Sequence, residues 1–317
     1  MIRFYRTEED RVNRLEGIED LQPGTWLEVT APTNKETQRI TQLLDIDQDD
    51  FLAAVDQDEK NRIEITDKYT LILVDIPAKE TRHKQERYTT IPLGIIITQD
   101  YIVTVCTKGT PVLSYFHHSH GKDFSTQRQF RFVYQIMVRT AVLFQRALHS
   151  IDSKRTEFEE TIDNKSMDEA SLINLHELES TLVYFATSLR GNANVMNRLT
   201  RYSRLRQYPE DMELLDDAIT ETQQAIEMTQ IFRDIIDGTR TLISSIMDNR
   251  LNEVMKRLTS ITLILGVPTM ISGMYGMNVD GRWMPLASTP FGFEIIIVLT
   301  LALCIFMYYW FKKKKML

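Results

Sequence analysis

Apolar residues recur along the chain in two rhythms. Up to residue 125 they gather in short β-branched or aromatic runs bounded by Pro, Gly or Asp: Trp26–Val29, Arg62–Thr66, Tyr69–Ile76, Thr89–Thr98 and Tyr101–Thr107. Such runs predict strands, with Gln99 and Asp100 at a hairpin turn, while Lys35–Leu44 and Asp50–Gln57 read as helices. From Thr126 onward no segment reads as a strand. Phe130–Ile162 and Ser166–Tyr202 predict two long helices, the second opened by Ser166 and Glu169 at capping-box spacing. Beyond Pro209, Leu215, Ile219, Ile226, Phe232, Ile236, Ile243, Met247, Leu251, Met255 and Leu258 keep helical spacing. No proline intervenes between Pro209 and Pro268, so one helix of roughly sixty to seventy residues is expected, ~100 Å long at 1.5 Å per residue.

That helix runs into twenty consecutive uncharged residues, Leu258 to Met277. An α-helix needs about 20 residues to cross a bilayer core. A second apolar run, Ile295–Phe311, has seventeen residues and ends in Tyr308, Tyr309, Trp310 and Phe311, followed by Lys312–Lys315. Aromatic residues and then a lysine run mark a cytoplasmic membrane boundary. Lys256 and Arg257 precede the first span, whereas the connecting segment of about 278–290 carries only Asp280 and Arg282. The positive-inside rule then puts both termini in the cytoplasm. The first span holds Thr259, Ser260, Thr262, Gly266, Pro268, Thr269, Ser272 and Gly273, a composition suited to close helix packing or a wet path. The second is rich in Ile, Leu, Val and Phe and suits lipid. One inner helix encloses nothing, so a conducting role requires an oligomer.

Three parts follow: an α/β domain over 1–125, long cytosolic helices over 126–257 with a stalk from about 210, and two membrane helices over 258–317. Charge sharpens this division. The 317 residues carry 37 Lys plus Arg against 44 Asp plus Glu, a net −7. Residues 251–317 hold 7 basic and 3 acidic residues, leaving 30 against 41 in the rest. So acidic a body lacks the clustered cations that phosphate contacts need, which argues against nucleic acid as partner. Cys106 and Cys304 lie far apart, excluding a disulfide framework or zinc ribbon and pointing to a reducing compartment. The first residues, MIRFYRTEED, lack a signal-peptide core.

Directly after the first span stands Tyr275-Gly276-Met277-Asn278. With the two terminal spans, the lysine-rich tail, Met284-Pro285 in the connecting loop and Asn252-Glu253-Val254-Met255-Lys256 at the base of the span, the chain resembles the CorA family of divalent-cation channels. The resemblance implies a homopentameric funnel in the cell membrane, with a cytosolic α/β domain, a stalk and a central pore. It implies Mg²⁺ as transported and regulatory ion, with Co²⁺ or Ni²⁺ as possible cargo. It places Gly276, Met277 and Asn278 in the selectivity filter and Asn252, Met255, Leu258 and Thr269 along the pore. Thr262 shares their face by its three- and four-residue spacing. Such a filter fits the ion: Mg²⁺ sheds its water reluctantly, so neutral amide and carbonyl oxygens can hold it hydrated, where a ring of carboxylates would release it slowly.

Two departures from the family pattern concern charge. Leu286 stands where the family usually has an acid after Met-Pro. The family's regulatory metal lies between subunits; here Asp217 falls at the stalk position, but the domain partner aligns with Leu52-Ala53, so Asp49, Asp50 or Asp56 would have to serve. His117, His118 and His120 with Asp123 could bind Zn²⁺ or Ni²⁺, although a solvated loop is the plainer expectation. No GxSxG, P-loop, HExxH or GxGxxG motif is present, so a membrane-anchored enzyme is the weaker class. The remaining alternatives are a Zn²⁺, Co²⁺ or Ni²⁺ transporter of the same architecture and a non-transporting membrane sensor. Met277 favours Mg²⁺, since the family's zinc branch tends to carry Ile there.

Overall fold

The computed structural model describes residues 1–9, 11–82, 85–118, 124–163, 169–201, 208–280, 283–286 and 289–316. The chain forms two compact units, Met1–Gly238 and Thr239–Leu317. The first is built on a seven-stranded sheet of order β2-β1-β3-β7-β6-β5-β4. Its strands are β1 (Ile2–Glu8), β2 (Arg11–Leu15), β3 (Thr25–Thr30), β4 (Arg62–Ile65), β5 (Tyr69–Arg82), β6 (Gln85–Thr98) and β7 (Tyr101–Cys106). All neighbours pair antiparallel except β3 with β7. The expected β6–β7 hairpin is present. β5 and β6 are longer than their apolar runs predict, because pairing from Tyr69↔Thr98 continues to Arg82↔Gln85 through polar residues. β1 and β2 carry no such apolar run and were not anticipated.

Both faces of the sheet are covered, which is why β5, β6 and β7 read as unbroken apolar runs. On one face Leu71, Leu73, Ile96, Val103 and Val105 pack with Ile40 of α1 (Asn34–Leu44) and Phe51 of α2 (Gln48–Ala53). On the other, Ile72, Val74, Ile76, Leu93 and Ile95 pack with Phe132 and Tyr134 of α4 (Gln129–Asp163) and Val195 of α5 (Glu169–Leu199). Between β7 and α4 a short helix, α3 (Pro111–Ser114), is capped by Thr110, whose hydroxyl accepts from Val112 N. Gly94 of β6 lets the end of α2 approach the sheet: a Cβ there would lie 2.2 Å from that of Ala54. The capping box expected at Ser166 lies outside the described residues. The structure has one at Thr33, where Thr33 Oγ1 accepts from Glu36 N and Glu36 Oε2 accepts from Thr33 N.

α5 is pinned to the sheet by a polar cluster. The buried Asn192 amide accepts from Asp75 N (2.9 Å) and donates to Asp75 O (2.7 Å), replacing bonds that a sheet neighbour would otherwise make. Asn61 Nδ2 also donates to Asn192 Oδ1 at 2.8 Å. Burial raises the Asp75 carboxyl above its ordinary pKa, opposed by hydrogen bonds from Ser188 and Asn61.

The 67-residue helix α6 (Pro209–Tyr275) is the single long helix the spacing predicts, and α7 (Gly292–Lys313) contains the second apolar run. α6 begins in the first unit and ends in the second. Both helices are long and apolar enough to cross a membrane, with only 6% of each apolar window buried.

The cluster at Asp75 generates a prediction. A carboxyl whose pKa is raised in the fold contributes stability that is full below its ordinary pKa and is lost as pH rises through the raised one. Asp75→Asn removes that loss while keeping an acceptor oxygen. The variant should gain a few degrees in Tm over the parent at pH 7, and the gain should vanish by about pH 4; a pH-independent difference in thermal melts would contradict the assignment.

Candidate ion-conduction site

The candidate filter lies where the long helix stops. An α-helix leaves its last four carbonyls without intrahelical partners, so the chain must turn or offer those oxygens elsewhere. Here Gly276 N donates to Ser272 O at 2.9 Å and Met277 N to Met274 O at 3.4 Å, after which the helix ends. Asn278 follows with no regular structure and an exposed side chain. The Tyr275 hydroxyl donates to Pro285 O at 2.6 Å, tying the helix end to the Met284-Pro285 segment. This brace was not foreseen, though both of its ends belong to the motifs that the sequence singled out.

Within the second unit, only a narrow stripe of the first span is withdrawn from solvent. Ser260 is buried, and Ile264, Val267, Pro268 and Ile271 are half-buried. This stripe carries contacts to α7 and the segment after it: Ser260 Oγ donates to Met316 O at 3.3 Å, and Cys304 Sγ donates to Ile264 O at 3.6 Å. At about 100° per residue, Met255, Leu258, Thr262 and Thr269 fall roughly opposite that stripe, and Asn252 about a quarter turn to one side of them. All five are exposed.

The two threonines are chemically specific. Thr262 Oγ1 donates to Leu258 O at 2.8 Å and Thr269 Oγ1 to Leu265 O at 3.0 Å. With the proton committed to the backbone, each hydroxyl oxygen presents only lone pairs outward. Such oxygens accept from the water shell of a cation and repel an anion.

The candidate sensor acids are in the first unit. Asp217 is exposed on α6, Asp49 is exposed in the first turn of α2, and Asp56 is exposed with its carboxylate accepting from Asp58 N at 3.0 Å. Asp50 is engaged differently: it accepts from the Tyr69 hydroxyl at 2.6 Å and lies 3.9 Å from Arg62. Burial, and then this bond to Asp50, push the Tyr69 phenol up to about 12. Leu52 is exposed and Ala53 buried. Among the described residues no three His, Cys, Asp or Glu side chains gather closely enough to hold a metal ion.

His117 departs from the solvated-loop expectation. It stacks on Tyr5 with ring centroids 4.7 Å apart, and its Nε2 lies 2.9 Å from the buried Glu28 carboxylate, which also faces Arg3 at 3.6 Å. An imidazole committed to a buried partner anchors the end of the sheet and is not presented to solvent. The His118 side chain, His120 and Asp123 lie outside the described residues, as does Arg282.

The family model described as CorA-like Mg²⁺ transporter protein matches residues 22–313. A protein of Methanocaldococcus jannaschii named cobalt/magnesium transport protein CorA is 27% identical over 296 residues, covering 91% of this chain and 90% of its own length. A protein of the same name from Thermotoga maritima is 29% identical over 170 residues, covering 54% of this chain and 48% of its own. The complete structure of the CorA magnesium transporter from Methanocaldococcus jannaschii superposes with a TM-score of 0.84 at 24% identity, over 98% of this chain and 97% of that one. A helix followed directly by Gly-Met-Asn, a second apolar helix and an α/β domain are thus joined by a match across nearly the whole length, and the chain belongs to the CorA-like Mg²⁺ transporter family.

Proposed function

We propose that this chain carries Mg²⁺ passively across the cell membrane, with Co²⁺ or Ni²⁺ as further cargo, as a homopentamer around a central pore with both termini in the cytoplasm. The observation that carries this reading is the placement of Gly276-Met277-Asn278 where the uncharged helix ends, on a helix whose hydroxyl-bearing face stands opposite its α7 contacts. Cobalt and magnesium both stand in the names of the Methanocaldococcus and Thermotoga relatives. A ring of Asn278 amides with the carbonyls of Gly276 and Met277 receives the ion with its water shell intact. A neutral ring binds weakly enough to release it. Thr262 and Thr269 then offer acceptor oxygens to the shell waters along the path. Met255 and Leu258 form apolar rings towards the cytoplasmic end, which close the pore by dewetting, with Asn252 at its edge.

Gating follows from charge. The cytosolic part is acidic, so subunit faces repel one another until internal Mg²⁺ bridges them. Loss of that ion shifts the population towards an open state. Asp217 supplies one side of the bridge. Asp49 and Asp56, whose carboxylates are exposed, are better placed for the other than Asp50, which Tyr69 and Arg62 already occupy. Each ion contributes only its differential affinity for the closed state, so several sites around the ring are needed for a sharp response.

Two variants test these assignments. Asn278→Ala removes one amide oxygen per subunit and should lower Mg²⁺ uptake into liposomes at least about tenfold, the effect of losing one good charged hydrogen bond, while the oligomer still assembles on a sizing column. Parent-like transport would show that the filter lies elsewhere. Asp217→Ala should raise the internal Mg²⁺ needed for half-inhibition several-fold without changing which ion permeates; an unmoved inhibition curve in patch recordings at stepped internal Mg²⁺ would remove Asp217 from the sensor.

A further inference from the structure

Five lysines meet at one end of the second unit. After Tyr308, Tyr309, Trp310 and Phe311, α7 closes in Lys312–Lys315, and all four lysines are exposed. Ser260 Oγ of α6 donates to Met316 O at 3.3 Å and, one turn back on its own helix, to Lys256 O at 2.8 Å. That contact sets the exposed Lys256 beside the lysine run. Arg257 is committed to Glu253 at 2.6 Å and stands apart from the cluster.

The backbone holds the run in place. Lys315 N donates to Lys312 O at 3.1 Å and Met316 N to Phe311 O at 3.0 Å, which closes the helix with Lys315 in the left-handed region at a φ of 56°. Glycine is the usual residue there, because a Cβ crowds the following carbonyl. A lysine in its place adds an ammonium where the local backbone favours no side chain at all. Along α7, the exposed Val298, Leu301, Ile305 and Tyr309 fall on one side of the helix at about 100° per residue, and Lys312 and Lys313 continue that side. Lys312 Nζ stands 5.9 Å from the Tyr308 ring centroid, and the Trp310 ring is half exposed beside it in sequence. Apolar track, amphipathic rings and ammonium groups therefore follow one another. A phospholipid has the same order, from acyl chains through glycerol esters to phosphate, and Tyr and Trp favour the depth of the esters and headgroups. A free phosphate would use the lysines alone. A zwitterionic headgroup brings its own cation to the cluster, whereas an anionic one does not.

We propose that Lys256 and Lys312–Lys315 hold the phosphate of an anionic phospholipid whose acyl chains run along Val298, Leu301 and Ile305, with Tyr309 and Trp310 beside its esters. This rests on the reading that α7 crosses the membrane, and not on transport. Of the three tryptophans, Trp26 is fully buried in the first unit, so Trp283→Phe leaves Trp310 as the emitter open to lipid. That protein is placed in phosphatidylcholine vesicles containing an equal fraction of brominated phosphatidylglycerol or brominated phosphatidylcholine, and quenching of Trp310 is read. The phosphatidylglycerol should quench as if enriched at least about fivefold, the worth of a single lysine at an anionic surface, and the preference should weaken as salt is raised. Combining Lys313→Gln, Lys314→Gln and Lys315→Gly should bring the two lipids close to parity, while Lys35→Gln on α1 should leave the preference as it is. Lys315→Gly alone relieves the left-handed residue, so it should fold as well as the parent and still lower the preference. Equal quenching in the parent, or a preference unmoved in both the folded triple variant and Lys315→Gly, would overturn the proposal while leaving α7 in the bilayer. Loss of the preference to inorganic phosphate at matched ionic strength would overturn it in favour of a free-phosphate site. Quenching by neither lipid would overturn it together with the spanning role of this end of α7.

Discussion

Inside a bilayer every backbone N–H and C=O must find its partner within the protein, so a spanning helix consumes its own carbonyls. An ion can meet backbone oxygens only where the helix stops. That constraint organises the membrane part of this chain. α6 keeps its ladder to Tyr275 across a run with no charged side chain, and the residues released at its end are Gly276, Met277 and Asn278. Along the helix itself, side chains must provide the polarity. Thr262 and Thr269 can do so at low cost, because each hydroxyl satisfies its own proton on the preceding turn. The Tyr275 bond to Pro285 O then limits how far the released residues can move.

The first unit answers a different problem, how to attach long helices firmly to a sheet. Apolar packing on both sheet faces supplies most of the stability, but apolar contacts are tolerant of sliding. The Asn192 amide, with both its donor and its acceptor on the Asp75 backbone, fixes the register of α5 on β5 in a way that methyl groups cannot. His117 against Glu28 and Tyr5 does the same for the segment leading into α4.

How much of this could be read from the sequence depended on whether the signal was local. The central strands and the long helix were legible because burial on two faces, or on one helical stripe, imposes a period on neighbouring residues. The polar halves of β5 and β6 and the first two strands were not, because a strand at a sheet end need not alternate strongly. Arg3 and Arg6 interrupt the apolar positions Phe4 and Tyr5 of β1. Asn192 and Asp75 stand 117 residues apart, and His117 and Glu28 89 apart, so no spacing rule connects them. The Gly276-Met277-Asn278 motif stands out in the sequence because its three residues are consecutive. The proposed sensor acids are exposed or partly exposed on one chain, and whether Asp49, Asp50 or Asp56 meets Asp217 in an oligomer is a property of more than one chain.

The central claim of the proposal is that the first span offers no proton relay to couple transport to another gradient. The first span has no Asp, Glu or His to relay protons, and a divalent ion falling through 100 mV gains roughly 4.6 kcal/mol, twice the single-charge value. Mg²⁺ flux into liposomes under an imposed potassium-diffusion potential, with and without a proton gradient, tests this directly. Uptake should follow the potential and ignore the proton gradient; uptake that persists in depolarised vesicles and collapses with the proton gradient would contradict it.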